Sequence, residues 1–137
     1  MVKNSDTPIL VTQLRQLEIE YTKKEILDYF DISLNSSIVN NGQTQANFIL
    51  MKKCDFVFNL FEIYKKALYS ASYLFTDEFI TTQYPRFKEP RHDQSVLSVI
   101  LKREGAIILP DETYFKENGV WNTEKGKDFP IWITRKK

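Results

Sequence analysis

The sequence predicts a single α/β domain, and three observations carry that expectation. Short apolar segments of strand length alternate with longer segments of helical periodicity. Helix-start chemistry, a T-x-x-E box or an acidic residue ahead of an apolar run, precedes the periodic segments. The resulting order is strand, helix, strand, helix, helix, strand, in which helices pack onto a small sheet.

Ile9-Leu10-Val11-Thr12-Gln13-Leu14 reads as a short strand beginning just after Pro8. Thr22 and Glu25 form a capping box, and Ile26, Leu27, Tyr29 and Phe30 follow at helical spacing, so a helix is expected from about Lys23 to Phe30. Asp31 to Gly42 is rich in Ser, Asn and Gly without periodicity, which predicts a loop. Ala46-Asn47-Phe48-Ile49-Leu50-Met51 is short and largely apolar, as a buried strand is. Asp55 is positioned to cap a long helix with an apolar face of Val57, Leu60, Phe61, Tyr64 and Leu68. Ser70 to Pro90, with Pro85 and Pro90, reads as an ordered surface excursion, and loops of that length are usually functional or mobile. A further helix is expected from Asp93 to Glu104, capped by Asp93, closed by Gly105, and buried on Val96, Leu97, Ile100 and Leu101. Ala106-Ile107-Ile108-Leu109 is then a strand stopped by Pro110, and Phe129-Pro130-Ile131-Trp132-Ile133 a last extended segment.

With 137 residues, 42% of them hydrophobic, the chain is long enough for one real core and too short for two. Nineteen basic residues against eighteen acidic ones argue against a nucleic-acid binder that works by phosphate neutralisation. Cys54 is the only cysteine, so neither an internal disulfide nor a Cys-rich metal site is expected. The polar start, Met1 to Pro8, has no apolar signal core, and no stretch is long enough to span a bilayer, which predicts a cytoplasmic protein. Neither G-x-x-x-x-G-K-[ST] nor G-x-G-x-x-G nor G-x-S-x-G occurs. The carboxylate pairs Asp77-Glu78 and Asp111-Glu112 are expected to be solvated, where Asp and Glu usually sit.

The stretch richest in chemistry is Arg91-His92-Asp93-Gln94-Ser95, which holds the only histidine. It sets a cation, an imidazole, a carboxylate and an amide where a loop becomes a helix. Such junctions carry orphan N–H groups and positive dipole. Helix punctuation accounts for Asp93 and Gly105, but not for Arg91, His92 and Gln94.

Several segments in order resemble the C-terminal half of a family of bacterial nucleotide-sugar-dependent glycosyltransferases of GT-A type, found in capsule and lipopolysaccharide gene clusters. They are residues 21–30, residues 43–53 (Gln43-Thr44-Gln45-Ala46-Asn47-Phe48-Ile49-Leu50-Met51-Lys52-Lys53), residues 87–98 with Arg91-His92-Asp93-Gln94-Ser95, and Trp132-Ile133-Thr134-Arg135. The family pattern is roughly Q-x-x-A-G-F-I-L-x-R-K followed by the more specific R-H-D-Q-S. Asn47 stands where members usually have Gly. The resemblance implies a partial GT-A-like sheet with packed helices, lacking the N-terminal half that binds the nucleotide and carries D-x-D. No D-x-D occurs here, so Mn²⁺ or Mg²⁺ is expected only together with that half. No metal ligand is assigned, because Gly126 to Trp132 only faintly echoes a family tail and has no histidine before it.

By position, the resemblance implies that Gln45, Ala46 and Asn47 face the transferred sugar. It sets His92, Asp93 and Gln94 near the anomeric carbon and the acceptor hydroxyl. Asp93 would accept the proton or orient the acceptor, Gln94 would contact the donor sugar, and Arg91 or His92 would face phosphate. The expected function is sugar transfer from a nucleotide-sugar donor to a saccharide acceptor in surface polysaccharide synthesis, by a truncated chain. The alternatives are a non-catalytic remnant or interaction module, and one subunit of a split enzyme. An uncovered strand edge or apolar face would favour a homodimer or pairing with a nucleotide-binding half.

Overall fold

The computed structural model describes residues 7–117, 120–121 and 123–128. It is an α/β fold. In chain order it runs β1 (Ile9–Leu17), α1 (Glu18–Tyr21), α2 (Lys24–Tyr29), β2 (Gly42–Met51), α3 (Asp55–Ser70), α4 (His92–Glu104), β3 (Ile107–Pro110), β4 (Lys116–Glu117), β5 (Val120–Trp121) and α5 (Thr123–Gly126). Single 3₁₀ turns lie at Ser72–Phe75 and Glu112–Phe115. The main sheet has the order β2-β1-β3, with β1 antiparallel to β2 and parallel to β3; β4 and β5 form a small ribbon.

Ile9 and Val11 of β1 point into a core completed by Ile26, Leu27 and Phe30, by Val57, Leu60 and Ala67 of α3, and by Val96, Val99, Ile100 and Leu101 of α4. Helix α4 is the central element, buried on most of its circumference. Its sheet-facing stripe is polar: Ser95, Ser98 and Lys102, at helical spacing, bond to groups on α1 and β2.

The long helix α3 buries Val57, Leu60 and Ala67, while Phe61 and Leu68, expected on the core face, are half exposed. The core meets the face of α3 that runs through Val57, Leu60 and Ala67, and α4 packs against this helix. Asp55 begins α3 without a side-chain capping bond, and Cys54 occupies the cap position. The expected helix from Lys23 to Phe30 is α2, between the caps Lys23 and Phe30, and the short α1 before it was not expected. Thr22 does not cap; its hydroxyl donates to Glu18, and Glu25 turns to another segment. Strand β3 stops at Pro110, as expected, with the proline itself as the last paired residue, opposite Gln13 on the strand at the sheet margin. The extended segment expected at residues 129–133 lies outside the described residues, as does the matching piece at residues 132–135.

The β1–β2 pairing is uneven. From Val11 to Gln13, β1 advances two residues while β2 advances five, from Ile49 to Thr44. Gln45, Ala46, Asn47 and Phe48 thus stand against Thr12 alone, three residues in excess, so the segment singled out in the sequence is a bulge. On the other side of Gln13 the register shifts again, and Gly42 comes hard against β1. A β-carbon there would lie 1.7 Å from the Leu14 carbonyl oxygen. Gly42→Ala is therefore expected to cost about 3 kcal/mol, near the upper end of overpacking, because backbone must yield. Urea denaturation checks this, and an unchanged midpoint would contradict the close approach.

Candidate functional site

Helix α4 starts one residue earlier than its sequence suggests. Arg91 takes the cap position and Asp93 lies in the first turn, exposed and without a capping bond, so the expected N-cap role of Asp93 is corrected. The reason is Ser95. Its hydroxyl accepts the Arg91 N–H (3.3 Å) and donates to the Tyr21 carbonyl (2.8 Å), and the Arg91 N–H also reaches Tyr21 O (3.2 Å). The chain entering α4 is thus tied to α1 before Asp93 can reach back. His92 consequently sits at φ +44°, in the left-handed region that non-glycine residues rarely occupy. Gly105, at φ +109°, ends the helix as expected; a β-carbon there would meet nothing, so the demand is for conformation rather than room.

Three side chains of the quartet, Arg91, His92 and Gln94, have definite partners. The Arg91 guanidinium stacks over the Tyr21 ring at 4.9 Å and pairs with Glu89 at 3.4 Å. His92 Nε2 lies 2.9 Å from Asp77 Oδ1. Gln94 Nε2 donates to Gln43 Oε1 at 2.9 Å, joining the start of α4 to the start of β2 across fifty-one residues. Gln43 is fully buried and its own amide reaches Ser95 Oγ (2.9 Å), Thr22 Oγ1 (3.0 Å) and Glu18 Oε2 (3.2 Å).

Behind Gln43 lies a buried ion pair. Lys102 Nζ donates to Glu18 Oε1 (2.7 Å) and to the Gly42 carbonyl (2.6 Å), and Ser98 and Thr22 also donate to the Glu18 carboxylate. Burial lowers the proton affinity of Lys102, and the adjacent Glu18 charge opposes that shift. The network holds Gln94 from below through Gln43.

The excursion after α3 is fixed by two opposite charges of one short segment. Lys23 Nζ, fully buried, donates to the carbonyls of Tyr73 (2.5 Å), Thr76 (3.0 Å) and Glu78 (2.8 Å). Glu25 accepts from the Ile80 and Thr81 N–H groups (2.8 and 3.0 Å) and from Gln83 Nε2 (2.7 Å). Burial pushes the Glu25 carboxyl upward, but these donors outweigh it, leaving the group below the usual carboxylate range. Its folded-state pKa is depressed. Its stabilisation is therefore present above the ordinary value of 4.5 and lost as pH falls through the folded value. Glu25→Gln is expected to flatten the decline of stability below about pH 4.5. Chemical denaturation at stepped pH reads this, and parallel profiles for variant and wild type would refute it.

The remaining residues singled out by sequence divide. Gln45 is buried and faces inward, accepting from Thr12 Oγ1 (3.1 Å) and donating to Asp111 Oδ2 (3.0 Å). Asp111, expected to be solvated, is buried as its partner. Ala46 is half-buried and Asn47 exposed on the outside of the bulge. The structure thus brings Gln94 and His92 together with Gln43 and Asp77, and keeps Gln45 in a separate polar contact. Asp77, Gln43, Glu18, Lys102 and Lys23 were missed in the sequence. A readable signal was the spacing of Ser95, Ser98 and Lys102, a polar stripe on an otherwise apolar helix.

Cavities of about 290, 320 and 480 Å³ lie elsewhere: beside Ser37, Asn41, Lys102 and Gly105; where β1 and β2 begin and end; and between Tyr29, Phe30, Ile63 and Arg103. The start of α4 stands at the surface outside these three. Among the described residues, no cluster of three or more His, Cys, Asp or Glu is arranged to hold a metal ion, and no helix is long and apolar enough to cross a membrane. Compared with known families, curated proteins and solved structures, the chain matches none.

Proposed function

We propose that this chain is a glycosyltransferase-like domain, acting in the cytoplasm, whose α4 start and β2 bulge form the floor beneath a sugar transferred from a nucleotide-sugar donor to a saccharide acceptor. The observation that carries the reading is the Gln94–Gln43 hydrogen bond, which draws together the two sequence segments on which the resemblance rests. Three further features support it. The bulge falls on the Gln45-Ala46-Asn47 segment, and bulges commonly re-aim side chains beside sites. His92 holds a strained backbone conformation, as residues at functional sites often do. Gln, Asn, His and Asp supply the mixed donors and acceptors that sugar hydroxyls require.

In this reading Asn47, Asp93 and Gln94 contact sugar hydroxyls, and Arg91 faces phosphate. Gln45 acts from behind, tying the bulge to Asp111. The three-stranded mixed sheet with α4 packed on it would be part of a GT-A-like sheet, and the divalent ion would enter with a nucleotide-binding half supplied by another segment or chain. A second reading, a non-catalytic interaction module, is favoured by the half-exposed Phe58, Phe61 and Leu68 on α3.

The two are separated by calorimetry and thermal shift. The purified chain is titrated with a panel of uridine-, guanosine- and cytidine-linked sugars plus Mn²⁺, and with oligosaccharide acceptors. Binding that weakens on Gln94→Ala supports the site; no heat and no shift with any donor or acceptor sinks it.

A further inference from the structure

His92 carries the one imidazole of the chain and pairs with Asp77 at the surface, between two segments that are each held from within. Its Nε2 meets Asp77 Oδ1 at 2.9 Å. A carboxylate at Nε2 holds the neutral ring with its proton on that nitrogen and leaves the lone pair on Nδ1. The same carboxylate steadies the imidazolium that forms when Nδ1 takes up a proton.

Asp77 is itself highly exposed, yet its backbone is held on both sides. Lys23 Nζ bonds the carbonyls of Thr76 and Glu78, its two chain neighbours. Glu25 fixes the next turn through Ile80 and Thr81. On the other side of the pair, His92 holds a φ of +44° beside the Ser95–Tyr21 ties that anchor the start of the helix. Two independently braced segments therefore converge on one hydrogen bond.

We propose that His92 is the catalytic base of this site, presenting Nδ1 to the acceptor hydroxyl, with Asp77 and Lys23 as positioning residues. The proposal rests on the glycosyl-transfer reading and replaces Asp93 as the group that takes the proton. The acceptor O–H bond breaks and its proton moves to Nδ1 while the acceptor oxygen bonds to the anomeric carbon. The bond from that carbon to the diphosphate oxygen breaks, and its electron pair leaves with the nucleoside diphosphate of the donor. Asp93, in the same turn, orients the acceptor.

Because His92 is the only histidine, its carbethoxylation by diethyl pyrocarbonate, followed on the His92 peptide by mass spectrometry, reports on this ring alone. The reaction is run at about pH 8.5, where an ordinary imidazole is neutral. Asp77→Asn is expected to slow modification severalfold, because the ring loses the carboxylate that enriches Nδ1. Lys23→Met is expected to slow it in the same direction, and Glu89→Gln, which alters the ion pair of Arg91, to leave it unchanged. A pair that merely packs would give the opposite result, a freed ring reacting faster. Equal or faster modification in Asp77→Asn, whose exposed site spares the fold, overturns the proposal.

Transfer assays with the nucleotide-sugar panel and Mn²⁺ form the second arm. His92→Ala is expected to lower kcat by about 10²- to 10⁴-fold, and Asp77→Asn to lower kcat with KM little changed. Transfer unaffected by His92→Ala overturns the base assignment and leaves the glycosyl-transfer reading standing. Slowed carbethoxylation with neither donor binding nor transfer overturns the base role together with that reading, while the Asp77–His92 pairing survives.

Discussion

Lys102→Met is expected to destabilise the domain by about 3–5 kcal/mol, the cost of leaving a buried charge without its partner. Glu18 is 0% exposed and Lys102 4%, so a charge left without its partner there is poorly hydrated. The methionine keeps the length of the side chain but removes the donor to both Glu18 and the Gly42 carbonyl. The end of α1, strand β2 and helix α4 converge on that carboxylate, through Thr22, Gln43 and Ser98, so the loss spreads beyond one bond. Combining Lys102→Met with Glu18→Gln should recover much of the stability, since an uncharged amide is far cheaper to bury. Urea denaturation of the two single variants and the double variant closes the cycle, and strict additivity would contradict a coupled pair.

The pH dependence adds a sign. Burial lowers the folded-state pKa of Lys102 below its ordinary 10.5, so between the two values the unfolded chain binds the extra proton. Stability from this group therefore rises with pH through that window, and the Met variant should lack the rise.

Lys23→Met is the second large expected effect, about 3 kcal/mol from three carbonyls that lose their common donor. Burial lowers the pKa of this lysine too, and the charges of Glu25, Asp77 and Glu78 resist the shift. The consequence is local as well as global. The 3₁₀ turn and the residues after it lose the group around which they wind, while Glu25 keeps its grip further along. Hydrogen exchange should show protection lost first at Leu74 and Thr76, whose N–H groups bond within that turn. Uniform loss across α3 and α4 instead would mean that Lys23 supports the core and not the excursion.

Much of the architecture was legible because hydrophobic period reports burial directly. Strand β1, the long α3 and the apolar positions of α4 followed from spacing alone. The misses share one cause: polar groups with more than one available partner. Thr22 and Asp93 look like caps in a linear reading, but buried Glu18 takes the Thr22 hydroxyl, and Ser95 accepts the Arg91 N–H so that α4 starts ahead of Asp93. Asp111 looked like a surface carboxylate until Gln45 crossed sixty-six residues to reach it. The bulge in β2 was invisible for a related reason, since register depends on how β1 pairs with it, and no local pattern of Gln45 to Phe48 encodes that. Of the candidate site, the α4 quartet was readable as unusual chemistry. Its partners Gln43 and Asp77 were not, because only the fold makes them neighbours.

The most direct measurement is an amide ¹H–¹⁵N chemical-shift map of the labelled chain, taken while nucleotide sugars and oligosaccharides are added in Mg²⁺ buffer. Saturable shifts gathered at residues 43–47, 77 and 91–94 are the expected result. Shifts confined to the cavities beside Ser37 or Phe30, or none at all with any sugar, would contradict a saccharide site at the head of α4.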